Sequence, residues 1–175
     1  MKSIPTLILV SSLIAFLFFS GCKKAESTTG PTGLGSATGG TASFTLNGAG
    51  FSNQTVNIAL LVGGFSVSEN LTGIAGSSVA TADTTWLTMV FPGSSVGTFQ
   101  FGDTVGVIIR RGGGSSARMF VNGLGGGQIA VTAYGGVGGN ITGSFSGRLY
   151  EVTLSGIDSV TVSNGSFSAL RAPND

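Results

Sequence analysis

Few side chains in this sequence could carry chemistry. Its 175 residues include no histidine. That removes the commonest general base, the middle member of the usual nucleophilic triad and the usual imidazole ligand of zinc. Serines are plentiful, but a serine without a partner base is an ordinary strand or loop residue, and none stands in a Gly-x-Ser-x-Gly elbow backed by a histidine. Two carboxylates about 5 to 10 Å apart could still hydrolyse a glycoside. In the part able to fold as a globule the acids are Glu69, Asp83, Asp103, Glu151 and Asp158, and no motif groups them. No run of alternating acids offers the six or more oxygens that calcium prefers, so no metal is expected. The glycine-rich segments lack the Lys-Ser/Thr ending of a phosphate loop, so no nucleotide cofactor is expected either. The residues point away from an enzyme.

Binding needs less. Trp86, Tyr134 and Tyr150 each combine a flat face with a polar handle that suits a sugar ring or a protein interface. Trp86 lies in the apolar run Trp86-Leu87-Thr88-Met89-Val90-Phe91 and is expected in the core. Tyr150 and Arg148 share the polar face of one strand. Arg110-Arg111, followed by Gly-Gly-Gly-Ser-Ser, reads either as a cationic lip for an anionic partner or as charge that blunts a sheet edge. Tyr150, Arg148, Arg110, Arg111 and Tyr134 therefore form the candidate binding surface. With 8 Lys+Arg against 7 Asp+Glu along the chain, no basic field exists to displace counterions from phosphates, and nucleic acid is excluded as a partner.

The single cysteine, Cys22, ends a distinctive N-terminus. Lys2 precedes an apolar stretch from Ile4 to Phe19, the layout and length of an export signal. An uncleaved membrane anchor is the rival, and it ordinarily needs about 20 predominantly apolar residues. Phe19-Ser20-Gly21-Cys22 resembles the lipobox of bacterial lipoproteins, with Phe where Leu is usual. The resemblance implies cleavage between Gly21 and Cys22 and a diacylglyceryl thioether on the cysteine. It also implies acylation of the freed amine, with fatty-acyl chains such as palmitate. One chain binds marginally at about 0.8 kcal/mol per buried methylene, whereas two or three anchor durably. No other cofactor is implied, and no thiol is left over for a disulfide. Lys23 directly after the cysteine is similar to the arrangement that sends enterobacterial lipoproteins to the outer membrane. The expected location is the cell envelope, lipid-anchored, with an envelope glycan or protein as partner.

The chain is thus expected to divide into a signal at 1–21, the lipidated Cys22 with a Gly/Ser/Thr-rich tether to residue 41, a domain at 42–172 and a short tail at 173–175. The tether's composition makes it a flexible linker with a reach of about 25 Å. The domain has to position everything else. Only 9% of the chain is charged, against roughly 25% in average soluble proteins, and 31 residues are glycine. From Ala42 onward β-branched and aromatic residues recur with period two between Gly, Asn, Asp and Ser, the signature of antiparallel strands. In Asn140 to Val152, Ile141, Gly143, Phe145, Gly147 and Leu149 fall on one face and Thr142, Ser144, Ser146, Arg148 and Tyr150 on the other. Further strands are expected at 43–46, 56–62, 65–68, 78–82, 86–91, 97–101, 105–110, 118–122, 128–134, 159–163 and 166–170. The fold class is all-β, an antiparallel β-sandwich or partly closed barrel of about 10–12 short strands. Asn164-Gly165 reads as a hairpin turn, with a bulge inside one longer strand as the competing reading.

The segments Val137-Gly138-Gly139, Ile141-x-Gly143-x-Phe145-Ser146-Gly147 and Val160-Thr161-x-x-Asn164-Gly165-x-Phe167 resemble the C-terminal part of uncharacterised Gram-negative lipoproteins. Phe91-Pro92-Gly93 and Gly97-Thr98-Phe99 are similar to their upstream signature. The matched residues are structural types and imply a fold rather than a reaction. Three functions follow as expectations: a non-catalytic binding or structural domain at the envelope, a carrier of a lipid or other apolar ligand, and, as the weakest, a carbohydrate-active enzyme.

Overall fold

The computed structural model describes residues 39–78, 84–112, 117–153 and 156–174. The signal, Gly21, Cys22 and the tether up to residue 38 lie outside them, as does Asp83. Nine strands follow one another: β1 (Gly40–Gly48), β2 (Phe51–Ser66), β3 (Leu71–Ser77), β4 (Thr85–Pro92), β5 (Gly97–Gln100), β6 (Gly106–Arg111), β7 (Arg118–Tyr134), β8 (Asn140–Thr153) and β9 (Gly156–Arg171). No helix occurs among the described residues. The ring order is β1-β2-β3-β4-β6-β7-β8-β9, and the β1–β9 and β7–β8 pairings close it into an eight-stranded antiparallel barrel. Neighbours in the ring are neighbours in sequence, apart from β5. Closure pairs both edges of every ring strand and leaves the short β5 with an unpaired edge, which reduces the aggregation hazard of a serine- and threonine-rich sheet.

Strand β5 completes β7 rather than the ring. The first half of β7 pairs with β6, from Ile108 opposite Val121 to Arg111 opposite Arg118. Its second half pairs with β5, from Gly97 opposite Val131 to Gln100 opposite Gln128. Between the halves the β7–β8 register shifts, and Asn122 bridges the gap: its Oδ1 accepts from the Val107 amide at 3.0 Å and its Nδ2 donates to the Val105 carbonyl at 3.0 Å. A side-chain amide here supplies the bonds that the interrupted ladder cannot.

Period two decides what fills the barrel. Phe44 and Leu46 of β1, Leu87, Met89 and Phe91 of β4, Val107 and Ile109 of β6, and Ile141, Phe145 and Leu149 of β8 are all buried. An eight-stranded ring is just wide enough for side chains to fill. Aromatic edges interlock inside it, with Phe44 and Phe145 centroids 5.5 Å apart and Phe145 tilted against Phe167 at 6.4 Å. Each such side chain contributes about 1.5–3 kcal/mol by leaving water. The two faces expected for β8 are those found.

Several strands run longer than the sequence pattern suggests. The segments at 56–62 and 65–68 fall in one strand, β2, which ends at Ser66; those at 118–122 and 128–134 are β7; those at 159–163 and 166–170 are β9; of the segment expected at 78–82, Ser78 follows β3 and the rest lies outside the described residues. Asn164-Gly165 is accordingly a bulge inside β9, not a hairpin. Asn164 takes φ 53°, and Gly165 is buried so closely that a Cβ there would lie 2.2 Å from the Phe145 carbonyl oxygen. Glycine is needed because β8 passes over this point, and asparagine tolerates the left-handed turn that shifts the register. Leu71–Ser77 was not expected as a strand, since two glycines dilute its pattern. Gly76 packs closely on Leu61 and Ile58, whereas Gly73 pairs with Val90 in register and has open space on its Cβ side.

Candidate functional site

The barrel wall and its two ends differ in chemistry. Because Leu87, Met89 and Phe91 point inward, Trp86, Thr88 and Val90 point outward. Trp86 is 48% exposed, a correction to the expectation of a core residue. A signal existed in the sequence: Thr88, the one polar residue in the run, shares the parity of Trp86. In register across the wall, Ser77 of β3 lies opposite Trp86, Trp86 opposite Arg110 of β6, and Arg110 opposite Met119 of β7. Met119 is 52% exposed. The next rung carries Ala75, Thr88, Ile108 and Val121, all part-exposed. Two large exposed apolar side chains thus flank one arginine in a single rung, with part-exposed Ala75, Ile108 and Val121 in the next.

The five residues singled out from sequence do not converge. Arg110 faces outward, and no hydrogen bond or ion pair engages its side chain among the described residues. Arg111, next along the strand, turns to the opposite side, where it donates to Gln54 Oε1 at 2.8 Å and lies 5.1 Å over the Phe51 ring. The two arginines therefore do not form a joint lip. Arg148 and Tyr150 stand on the outward face of β8, with Tyr150 opposite Val121 and Ser159. That is two strands round the curved wall from Arg110, so they address a different direction. Tyr134 is part-buried at the end of the barrel where β1 begins. Its hydroxyl shares a 2.8 Å hydrogen bond with Thr72 Oγ1, which donates to the Gly93 carbonyl at 2.6 Å. Arg171 lies 4.9 Å over its ring. Tyr134 closes that end instead of offering a free face.

Of the acids, Glu151 and Asp158 meet at the opposite end. Arg118 donates to Glu151 Oε2 through Nε at 2.9 Å and through a terminal nitrogen at 2.5 Å, reaches Asp158 at 3.5 Å, and donates to the Ala49 carbonyl at 2.7 Å. Its guanidinium sits 4.9 Å over Phe120 and 5.5 Å over Phe51. The hydrogen bond to Glu151 holds Arg118 above its ordinary pKa, desolvation works against this, and the charges of Glu151 and Asp158 add to it. In this ring-stacked ion pair two guanidinium nitrogens share one carboxylate oxygen, and with the Ala49 bond it ties the β1–β2 turn to β7 and β8. Glu69 is on an exposed turn after β2, at the other end, and Asp103 is on the exposed connection between β5 and β6, beside the middle of β7.

A shallow groove of about 690 Å³ lies outside the barrel over β1, β2 and β9, bordered by Thr41, Ser43, Asn57, Ser166 and Ser168. Its lining is uncharged, with Ala42, Ile58, Ala59 and Phe167 between the polar residues. Among the described residues no cluster of three or more potential metal ligands occurs. The wall around Trp86, Arg110 and Met119 is the part of the structure best suited to recognition, because a large aromatic face, an unpaired cation and a thioether stand side by side. The chain matches no family model, no curated protein and no solved structure.

Proposed function

We propose that this chain is an exported bacterial lipoprotein, lipidated at Cys22, whose barrel is a non-catalytic docking module held at the cell envelope by its tether. The observation that carries the docking reading is the exposed Trp86–Arg110–Met119 rung on a barrel whose interior is occupied by its own side chains. Apolar surface of this kind gains free energy when a partner covers it. A carrier would instead need interior volume for a ligand, whereas Phe44, Phe91, Phe120 and Phe145 occupy that space here. The location rests on the Phe19-Ser20-Gly21-Cys22 resemblance and on the tether's composition.

Two measurements test the two halves of the reading. Metabolic labelling with a tagged fatty acid is expected to mark the wild-type protein and to leave Cys22→Ser unlabelled; label on the serine variant would overturn lipid anchoring. A photo-crosslinking residue at position 86, activated in intact envelopes, is expected to give discrete adducts that the same probe at Thr132 does not. Equal, diffuse labelling from both positions would overturn docking through this wall.

A further inference from the structure

Resting on the docking reading of this same wall, we propose that the Trp86–Arg110 pair binds an acidic polysaccharide, with a hexuronate ring seated on the indole and its carboxylate on the guanidinium. A hexuronate carries an apolar C–H face and a carboxylate on one ring. Strands β4 and β6 set Trp86 and Arg110 directly opposite each other, so their side chains start about 4.5–5.5 Å apart on the same face. Two long side chains that start this close on one face can engage the ring and the carboxylate of a single sugar together.

The charges of the wall favour this occupant. The described acids lie away from this pair: Glu69 in a turn at one end of the barrel, Asp103 in the connection that leads into β6 at the far end of that strand from Arg110, and Glu151 and Asp158 bound to Arg118. Among the described residues the charged groups that project from the strand faces between them are Arg110 and Arg148. Arg110 has no carboxylate partner within the barrel and does not stack on the Trp86 ring, so both groups are open to a ligand. Ser77 and Thr88, beside the pair, add hydroxyls for the sugar's own hydroxyls. The wall is convex, and a thin extended chain can follow a convex surface that a flat protein face touches over little area.

The test uses the full-length lipidated protein in detergent micelles. Binding is measured by titration calorimetry with oligogalacturonate, with the same oligomer after its carboxyl groups are reduced to alcohols, and with poly-glutamate of matched charge. The expected result is saturable binding of the uronate, weakened at least about tenfold by Trp86→Ala, by Arg110→Gln and by carboxyl reduction. Trp86→Phe and Arg110→Lys should keep part of the affinity, and unchanged melting temperatures exclude unfolding as the cause of the losses. Absence of uronate binding, equal binding of poly-glutamate, or full binding by Trp86→Ala would each overturn the proposal. The crosslinking from position 86 then separates the two levels of inference. A discrete protein adduct with no uronate binding leaves docking standing and removes the glycan, whereas neither adduct nor binding removes both.

Discussion

Replacing Gly165 by alanine tests the topology at its least expected point. In the barrel this glycine lies within β9 beneath β8, and an added Cβ would meet the Phe145 carbonyl oxygen at 2.2 Å and the Phe145 ring at 2.9 Å. Backbone cannot swing aside as a side-chain tip can, so β8 and β9 must separate locally. Overpacking of this kind costs about 1–3 kcal/mol, and a backbone collision lies toward the upper end. The smaller unfolded-state entropy of alanine returns about 0.4–1 kcal/mol, leaving a net loss of about 2 kcal/mol. For a domain of this size that is a fall in melting temperature of about 8 °C. Gly64→Ala is the matched control, because no atom lies within 4 Å of the added carbon there; it should hold or slightly raise stability. Both variants are compared by thermal melts followed by circular dichroism and by urea titration. A loss below about 1 kcal/mol for Gly165→Ala, or one equal to that of Gly64→Ala, would refute the bulge beneath β8 and favour an open Asn-Gly turn.

Three other outcomes follow from the packing. Phe44→Ala, which empties a position 1% exposed beside the Phe145 ring, should cost about 3–5 kcal/mol in urea unfolding. Arg118→Ala strips the partner from Glu151 and the cation from two aromatic faces, and should cost about 2 kcal/mol, more than Glu151→Gln, which keeps the ring contacts. Thr72→Val removes the donor to the Gly93 carbonyl and the partner of the Tyr134 hydroxyl; it should cost about 1–2 kcal/mol, whereas Tyr134→Phe, which leaves the Gly93 bond intact, should cost about 1 kcal/mol or less. Because its hydrogen bond to Glu151 raises the Arg118 pKa, the stabilisation from that cation is fully present below its unfolded value and is lost only as pH rises through the folded one. A melt series from pH 7 to 9 should therefore show no difference between wild type and Arg118→Ala that grows with pH.

Much of the architecture could be read along the chain, because strand parity is a local property. The inward set of β8, Ile141, Phe145 and Leu149, follows from alternation alone, and the absence of histidine needs no coordinates. Parity is weakest where both faces are largely apolar: in the run from Trp86 to Phe91 only Thr88 marks the outward face, and its lone signal is outweighed by the apolar residues around it, whereas in the fold Leu87, Met89 and Phe91 take the core and leave Trp86 and Val90 on the wall. Met119 carried no such signal, since its exposure follows from its pairing with Arg110. Arg110 and Arg111 look like one feature in sequence, yet the pleat sends them to opposite sides.

The sequence by itself determined an all-β domain of alternating strands, poor in charge and without a histidine base, because composition and period act residue by residue. Only the tertiary structure decided that the ring closes, that Asn164-Gly165 bends a strand instead of ending one, that Tyr134 plugs an end, and that Trp86 meets Arg110 on the outside. Each of those depends on which strands pair and in what register. Such pairing is settled by the packing of residues distant in the chain, such as Gly165 beneath Phe145, and not by the local pattern of any one strand.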